Sequence, residues 1–412
     1  MELARKENLP VLGGVIYCFC IPLFPILATW AMILWLLLTL TNITKNAGKR
    51  MAILIPVALF LLYLISFALA PSDQYKILER KLSLIVFPLI FYFSSYSSEQ
   101  RTLLFKSFVF GLVLSGFACL ALALFRSLEL FEGALVFRPE VLPGKGFFES
   151  VLYGGNYFFG RYFSFFHQTV YYAIYLCLGI AALIQNDRIV ETNFHRWILV
   201  GFFVLLIFLT SNKAGFLGLT VILFLFIIQN AGKLSVKIVL IVLLSGTSLL
   251  YIIANPRLNE SFQKVFEGNL VLDKNARYGF STRLLSWDAS MNLIKKNPVT
   301  GYGVAHAQEA LDAEYKRLEY AFPLKEHLNA HNQFLQFWIE SGVIGFILWV
   351  LILAILFARA LQFSSSNKYL ILSFFVLLFI NSLFESLMNR FSGISFISFF
   401  LSFLLSMNKD ET

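Results

Sequence analysis

Residues 51–70 read MAILIPVALFLLYLISFALA, with no charged side chain from one end to the other. A helix of about twenty apolar residues is long enough to cross the hydrocarbon core of a bilayer. Runs of the same kind recur to the end of the chain, as in VLGGVIYCFC from Val11 and FVFGLVLSGF from Phe108. Lipid offers the backbone no hydrogen-bond partner, so each spanning segment must satisfy its own N–H and C=O groups. The expected fold is therefore all-α, a polytopic membrane helix bundle.

Working outward from this run, about twelve spans are expected. Residues 10–41 are too many for one helix, and Pro22 and Pro25 break them into two short ones. The third span is 51–70. The fourth starts near Leu82, after an amphipathic stretch at 75–81 that lies along the interface. The fifth and sixth cover 102–125 and 170–185, and the seventh and eighth flank Ser211-Asn212-Lys213. The ninth covers 237–254, the tenth 332–360, and the last two 369–386 and 393–407. Three units result: a membrane bundle over 1–254 with an outer loop at 128–165, a helical loop domain over 255–331, and membrane helices over 332–412. No cleavable leader is expected, because the first apolar stretch is too long and lacks a small-residue cleavage site.

Composition agrees. Apolar residues make up 58% of the chain and charged ones only 14%, against about a quarter charged in globular domains. The net charge of +9 is not read as nucleic-acid binding, because the basic residues sit in loops between spans, beside anionic head groups. Arg5/Lys6, Lys45/Lys49/Arg50, Arg101/Lys106, Arg188/Arg196, Lys233/Lys237 and Arg359/Lys368 fall on one side of this layout. Short basic loops stay in the cytoplasm, so both termini are expected there. Cys18, Cys20, Cys119 and Cys177 lie inside apolar runs and read as small core residues rather than a metal or redox set.

The outer loop ahead of the tenth span has helical periodicity. Leu284, Trp287, Met291 and Ile294 recur at helical spacing over 281–297, with Ser281 as the expected cap and Asn297-Pro298 as the stop. Gly301-Tyr302-Gly303 then reads as a turn, and 312–320 as a second, charged helix.

The polar residues that can carry chemistry gather at the outer ends of the spans. His331-Asn332 opens the tenth span, where a neutral imidazole can take a proton from a hydroxyl near neutral pH. Lys213 starts the eighth span, where free amides and the helix dipole favour an anion. Arg283, one turn before Trp287, can grip a phosphate with its guanidinium fork. Arg161, His167 and Arg390 are supporting polar groups, and Glu326 or Glu340 is expected to orient the His331 ring. No metal-ligand spacing and no glycine-rich nucleotide loop is found, so neither metal nor cofactor is expected. One imidazole among several cations suits transfer from a lipid-linked diphosphate, whose charge grows as its bond breaks.

Four motifs in this order resemble the O-antigen ligase and O-antigen polymerase superfamily, lipid-linked glycan transferases of the bacterial envelope. They are Leu209-Thr210-Ser211-Asn212-Lys213-Ala214-Gly215, Arg283-Leu284-Leu285-Ser286-Trp287, Asn297-Pro298-Val299-Thr300-Gly301-Tyr302-Gly303, and His331-Asn332 through Glu340-Ser341-Gly342. The resemblance implies a metal-independent, inverting glycosyltransferase in the inner membrane, with its site facing the periplasm. The donor would be a glycan on undecaprenyl diphosphate, and the acceptor a sugar hydroxyl of lipid A–core. His331 would be the base, and Arg283 and Lys213 would hold the diphosphate. An O-antigen polymerase or a protein O-oligosaccharyltransferase would share this core. The family's turn usually carries arginine where Lys213 stands, and lysine is a point charge without the fork. A lipid or polysaccharide transporter is the reading from another class. It fits the span count but not the clustering of polar groups at one face.

Overall fold

The computed structural model describes residues 8–407 apart from 44–50, 74, 143, 231, 256–257, 260–262, 264–271, 278 and 365. Arg5, Lys6, Lys45, Lys49 and Arg50, used above for orientation, lie outside the described residues. The chain is mostly helical. In order come α1 (Leu9–Cys20), α2 (Pro25–Leu40), α3 (Ile55–Leu69), α4 (Lys76–Glu79), α5 (Ser83–Phe93) and α6 (Ser98–Arg126). A hairpin, β1 (Leu128–Phe131) and β2 (Ala134–Phe137), opens the outer loop, followed by α7 (Phe147–Leu152). Then come α8 (Thr169–Gln185), α9 (Asn193–Thr210), α10 (Lys213–Asn230) and α11 (Leu234–Ala254). The second outer region holds α12 (Gly279–Lys296), α13 (Ala307–Leu318) and α14 (Ala321–Lys325), and α15 (Gln333–Leu361), α16 (Ser366–Phe384) and α17 (Phe391–Leu405) complete the chain.

Among the described residues, seven helices are long and apolar enough to cross a membrane, while α1, α2, α8 and α17 are apolar but shorter. The short ones have a reason. Every residue of α8 from Val170 to Leu183 is buried, and so is α17 from Gly393 to Leu405. A helix apolar on all sides belongs inside a bundle. Phe399 of α17 packs against Tyr17, Trp35, Phe87 and Phe91, which ties α1, α2 and α5 to the centre. At the other extreme, α11 buries no residue within the chain, and its Tyr251 stacks on Phe216 of α10 at 4.3 Å.

The outer helices share a core of their own, built from Leu285, Ala289, Leu293, Ile294, Leu311, Tyr315 and Ile339. Here the expected face of α12 is corrected. Its buried residues are Thr282, Leu285, Ser286, Ala289, Ser290, Leu293 and Ile294, whereas Met291 is exposed. Ile294 is buried as expected, and serine and alanine share the packed face with Leu285, Leu293 and Ile294 where α13 approaches. The helix also starts at Gly279, whose φ of +78° begins it, and not at a Ser281 cap. The second helix runs over Ala307–Leu318, earlier than the expected 312–320.

The tenth expected span is not one uninterrupted helix. α15 breaks at Ser341-Gly342, where Gly342 adopts φ 65° and ψ −160°. The turn at 297–303 fills the break. Val343 N–H donates to the Pro298 carbonyl (3.0 Å), and Tyr302 N–H donates to the Ile339 carbonyl (2.8 Å). The indole of Trp338 also donates to Pro298 (2.9 Å). Polar backbone freed by the break is thus satisfied by protein, as a membrane requires. Both glycines are forced by this contact. A Cβ on Gly342 would meet the Val299 carbonyl oxygen at 1.9 Å, and one on Gly301 would meet the Gly342 nitrogen at 2.6 Å. The Asn-Pro-Val-Thr-Gly-Tyr-Gly and Glu-Ser-Gly motifs are therefore two halves of one joint.

Candidate active site

His331 sits on the short approach to α15 with φ 46°, a left-handed conformation that is strained for a residue with a Cβ. Three contacts hold it there. Its N–H donates to Asn329 Oδ1 (2.9 Å), its carbonyl accepts from the Trp287 indole (3.3 Å), and Asn332 caps α15 directly after it. Asn332 Oδ1 accepts from Phe334 N–H and Leu335 N–H, and its Nδ2 donates to the Leu383 carbonyl (3.2 Å). That last bond brings the end of α16 beside the imidazole.

Glu385 follows α16 and supplies the acid. Its Oε1 lies 3.2 Å from His331 Nδ1. The separation is that of an ion pair, but the imidazole N–H is not aligned as a hydrogen bond. Burial alone would raise the Glu385 carboxyl. His331 and then Arg283 outweigh it and hold the group below the ordinary carboxylate value. Arg283 is fixed on the same helix end, its Nε donating to the Phe384 carbonyl (2.9 Å). Thus α12, the approach to α15 and the end of α16 bring a base, an acid and a guanidinium together.

A cavity of about 930 Å³ opens beside them. Asn329 and Glu385, on either side of His331, both line it, as does Arg283. Its cationic wall is Arg80, Arg161, Arg283 and Arg390, faced by the single acid Glu385. Arg161 lies over the Tyr162 ring and donates to its hydroxyl (3.0 Å). A smaller cavity, 190 Å³, is lined by Arg101, Asp187 and Arg188 at the opposite helix ends and holds none of the expected site residues.

Of the other expected residues, His167 lines the large cavity, and its Nδ1 meets Ser392 Oγ at 2.9 Å. Burial pushes its imidazole down to about 4, against two backbone carbonyls that raise it. It is thus a neutral polar group at physiological pH. Lys213 is the first residue of α10 and is not itself in the lining, though Asn212 is. The turn before it is tightly built: Ser211 ends α9 in a left-handed conformation, and Asn212 Oδ1 accepts from Gly215 N–H (2.7 Å).

The expected orienting role of Glu340 is corrected. Its carboxyl accepts from Gln336 Nε2 (2.7 Å) and from the Tyr63 hydroxyl (3.1 Å), inside the bundle and away from the ring. Glu340 lies about two and a half helical turns beyond His331, too far along the axis to reach it. No hydrogen bond or ion pair joins Glu326 to His331 among the described residues; the acid beside the ring is Glu385. Glu385 and Arg80 escaped the sequence reading. Neither lies in a quoted motif, and each borders an apolar span where a charge reads as an interface anchor.

Residues 198–350 match the family model described as O-antigen ligase. An uncharacterised protein of Haemophilus influenzae is 28% identical over 153 residues, 35% of this chain and 38% of that protein. A Rickettsia conorii protein named as a candidate polysaccharide ligase is 27% identical over 256 residues, 59% of this chain and 58% of that protein. The chain spans between 38% and 58% of the length of these relatives. The matched segment holds Lys213, Arg283, His331 and Glu340, while Arg80, Arg161, Glu385 and Arg390 lie outside it. Over residues 198–350 the chain is similar to the O-antigen ligase family.

Proposed function

We propose that the protein is an inverting glycosyltransferase that moves a glycan from undecaprenyl diphosphate to a sugar hydroxyl of lipid A–core. The observation that carries this reading is the meeting of His331, Glu385 and Arg283 beside a cavity walled by four arginines. His331 takes the proton of the acceptor hydroxyl. The acceptor oxygen bonds to the anomeric carbon from the face opposite the leaving group, and the bond to the diphosphate oxygen breaks. The anomeric configuration inverts, and undecaprenyl diphosphate leaves with the electron pair. Glu385 stabilises the imidazolium that forms, as a carboxylate beside a catalytic histidine does. Arg283 and the neighbouring guanidinium groups neutralise the charge that gathers on the diphosphate. Lys213, at the N-terminus of α10, adds a positive charge at the same end of the bundle. In this reading the chain makes twelve crossings of the inner membrane, both termini are cytoplasmic and the cavity faces the periplasm.

The family description and the name of the Rickettsia relative favour the ligase form over a polymerase or protein O-oligosaccharyltransferase. The break in α15 and the buried polar groups near it are features that transporters also use. Here the break is filled by the 297–303 turn rather than by an open path, which favours an enzyme. The test is transfer by the purified protein from a lipid-linked glycan to acceptor lipopolysaccharide core. Wild type should form the glycosidic product and His331→Ala should not. Equal product from both would remove His331 from the chemistry.

A further inference from the structure

Beneath the His331–Glu385 pair runs a buried polar chain that the proposed chemistry does not use. Lys81 is 4% exposed. It donates to the Tyr63 hydroxyl (3.3 Å) and to the Met388 carbonyl, and lies 4.3 Å over the Tyr63 ring. Tyr63 donates to one Glu340 oxygen, and Gln336 Nε2 donates to the other. That leaves Gln336 Oε1 to accept two bonds, from Ala330 N–H (3.1 Å) and from the Ser386 hydroxyl (3.3 Å). Ala330 precedes His331 and Ser386 follows Glu385.

We propose that Gln336, with its amide aimed by Glu340, is a positioning residue that clips the segment bearing His331 to the segment bearing Glu385. The inference rests on the reading of that pair as the catalytic centre. A glutamine amide has one accepting end and one donating end, and neighbours decide which way it points. Glu340 presents acceptor oxygens to Gln336, so the donor end must face it and the acceptor end must face Ala330 and Ser386. Lys81 supplies the countercharge without which a buried carboxylate is costly. Asn332 Nδ2, donating to the Leu383 carbonyl, and Gln333 Oε1, accepting from Met388 N–H, tie the same two segments farther out, while the single oxygen of Gln336 bonds the residues next to both His331 and Glu385. The 3.2 Å separation of base and acid is therefore set from below.

The test uses the full chain with the same donor and acceptor, and reads kcat and donor KM per folded molecule. Gln336→Leu keeps a similar volume and removes all three bonds of the amide. Glu340→Gln keeps the shape and lets the Gln336 amide turn over, breaking the Ala330 bond. Each should lower kcat on the order of tenfold to a hundredfold, the range for misplaced catalytic groups, and leave the donor KM near wild type. The paired exchange Gln336→Glu with Glu340→Gln restores every donor–acceptor direction: Tyr63 donates to the new amide oxygen, the new amide donates to the new carboxylate, and the carboxylate accepts from Ala330 and Ser386. It should recover most of the lost kcat. Wild-type kcat in both single variants would overturn the proposal. So would a paired variant that recovers folded yield but not kcat. His331→Ala separates the two levels: if it stays active, the catalytic reading falls and this inference with it, whereas an inactive His331→Ala beside a fully active Gln336→Leu sinks the inference alone.

Discussion

Glu385 and His331 stand 3.2 Å apart, although one closes α16 and the other opens α15. The Asn332 side chain supports the pairing beside Gln336: it caps α15 with its oxygen and donates to the Leu383 carbonyl through its nitrogen. One asparagine thus starts a helix and docks the end of its neighbour.

Glu385→Gln should lower the transfer rate on the order of a hundredfold while the protein keeps its melting temperature. The amide retains the shape and loses the charge that steadies a protonated imidazole. The Glu385 carboxyl is held below its usual range, so its support is complete above the unfolded carboxylate value. The support fades only as pH falls through the lowered one, and it is intact from pH 5 to 8. Initial rates at pH 7 check the substitution; an unchanged rate would show that the acid is a bystander.

Arg283→Ala and Lys213→Ala should impair transfer more than folding. Arg283→Lys should still raise the donor KM on the order of tenfold, because an ammonium cannot bond the Phe384 carbonyl and a phosphate with the same fork geometry. Kinetics with varied donor, beside folded yield in detergent, decide this. Matching losses of yield and activity would mean that the cations are structural.

Gly342→Ala should destabilise the protein by more than about 3 kcal/mol, since left-handed backbone strain adds to overpacking. The new methyl would sit 1.9 Å from the Val299 carbonyl oxygen. Thermal unfolding measures the effect. A near-normal melt would mean that the joint between α15 and the 297–303 turn is loose.

His167 gives a pH signature. Its folded value is pushed down to about 4, so between there and the unfolded value the unfolded chain binds the proton and the native state does not. Stability should therefore fall on acidification, by about 2 kcal/mol from pH 7 to pH 5. His167→Gln should flatten that slope. Melting curves at the two pH values test it, and an equal slope in the variant would show that the imidazole titrates freely in the native state.

The membrane character and the position of most of the apolar helices were legible in the sequence, because an uninterrupted apolar run such as 51–70 satisfies its backbone in lipid by forming a helix. His331 stood out in the sequence as a polar group at the mouth of such a run, and Arg283 as a cation one turn before Trp287 on the outer-loop helix. The packed face of α12 was legible only in part: Ile294 belongs to it, but a search for large apolar residues passes over the serine and alanine beside it. The break in α15 was hidden for a related reason: Glu340-Ser341-Gly342 interrupts the helix only because Pro298 and Tyr302 arrive to bond its freed backbone.

Local chemistry, then, determined which segments enter the bilayer and which residue types wait at their ends, since both follow from hydrophobicity and hydrogen bonding along the chain. Tertiary structure alone decided that Glu385 rather than Glu340 meets His331, and that Arg80, Arg161 and Arg390 share a wall with Arg283. Such partners come from distant helices, and packing, not sequence spacing, sets which helix ends lie side by side.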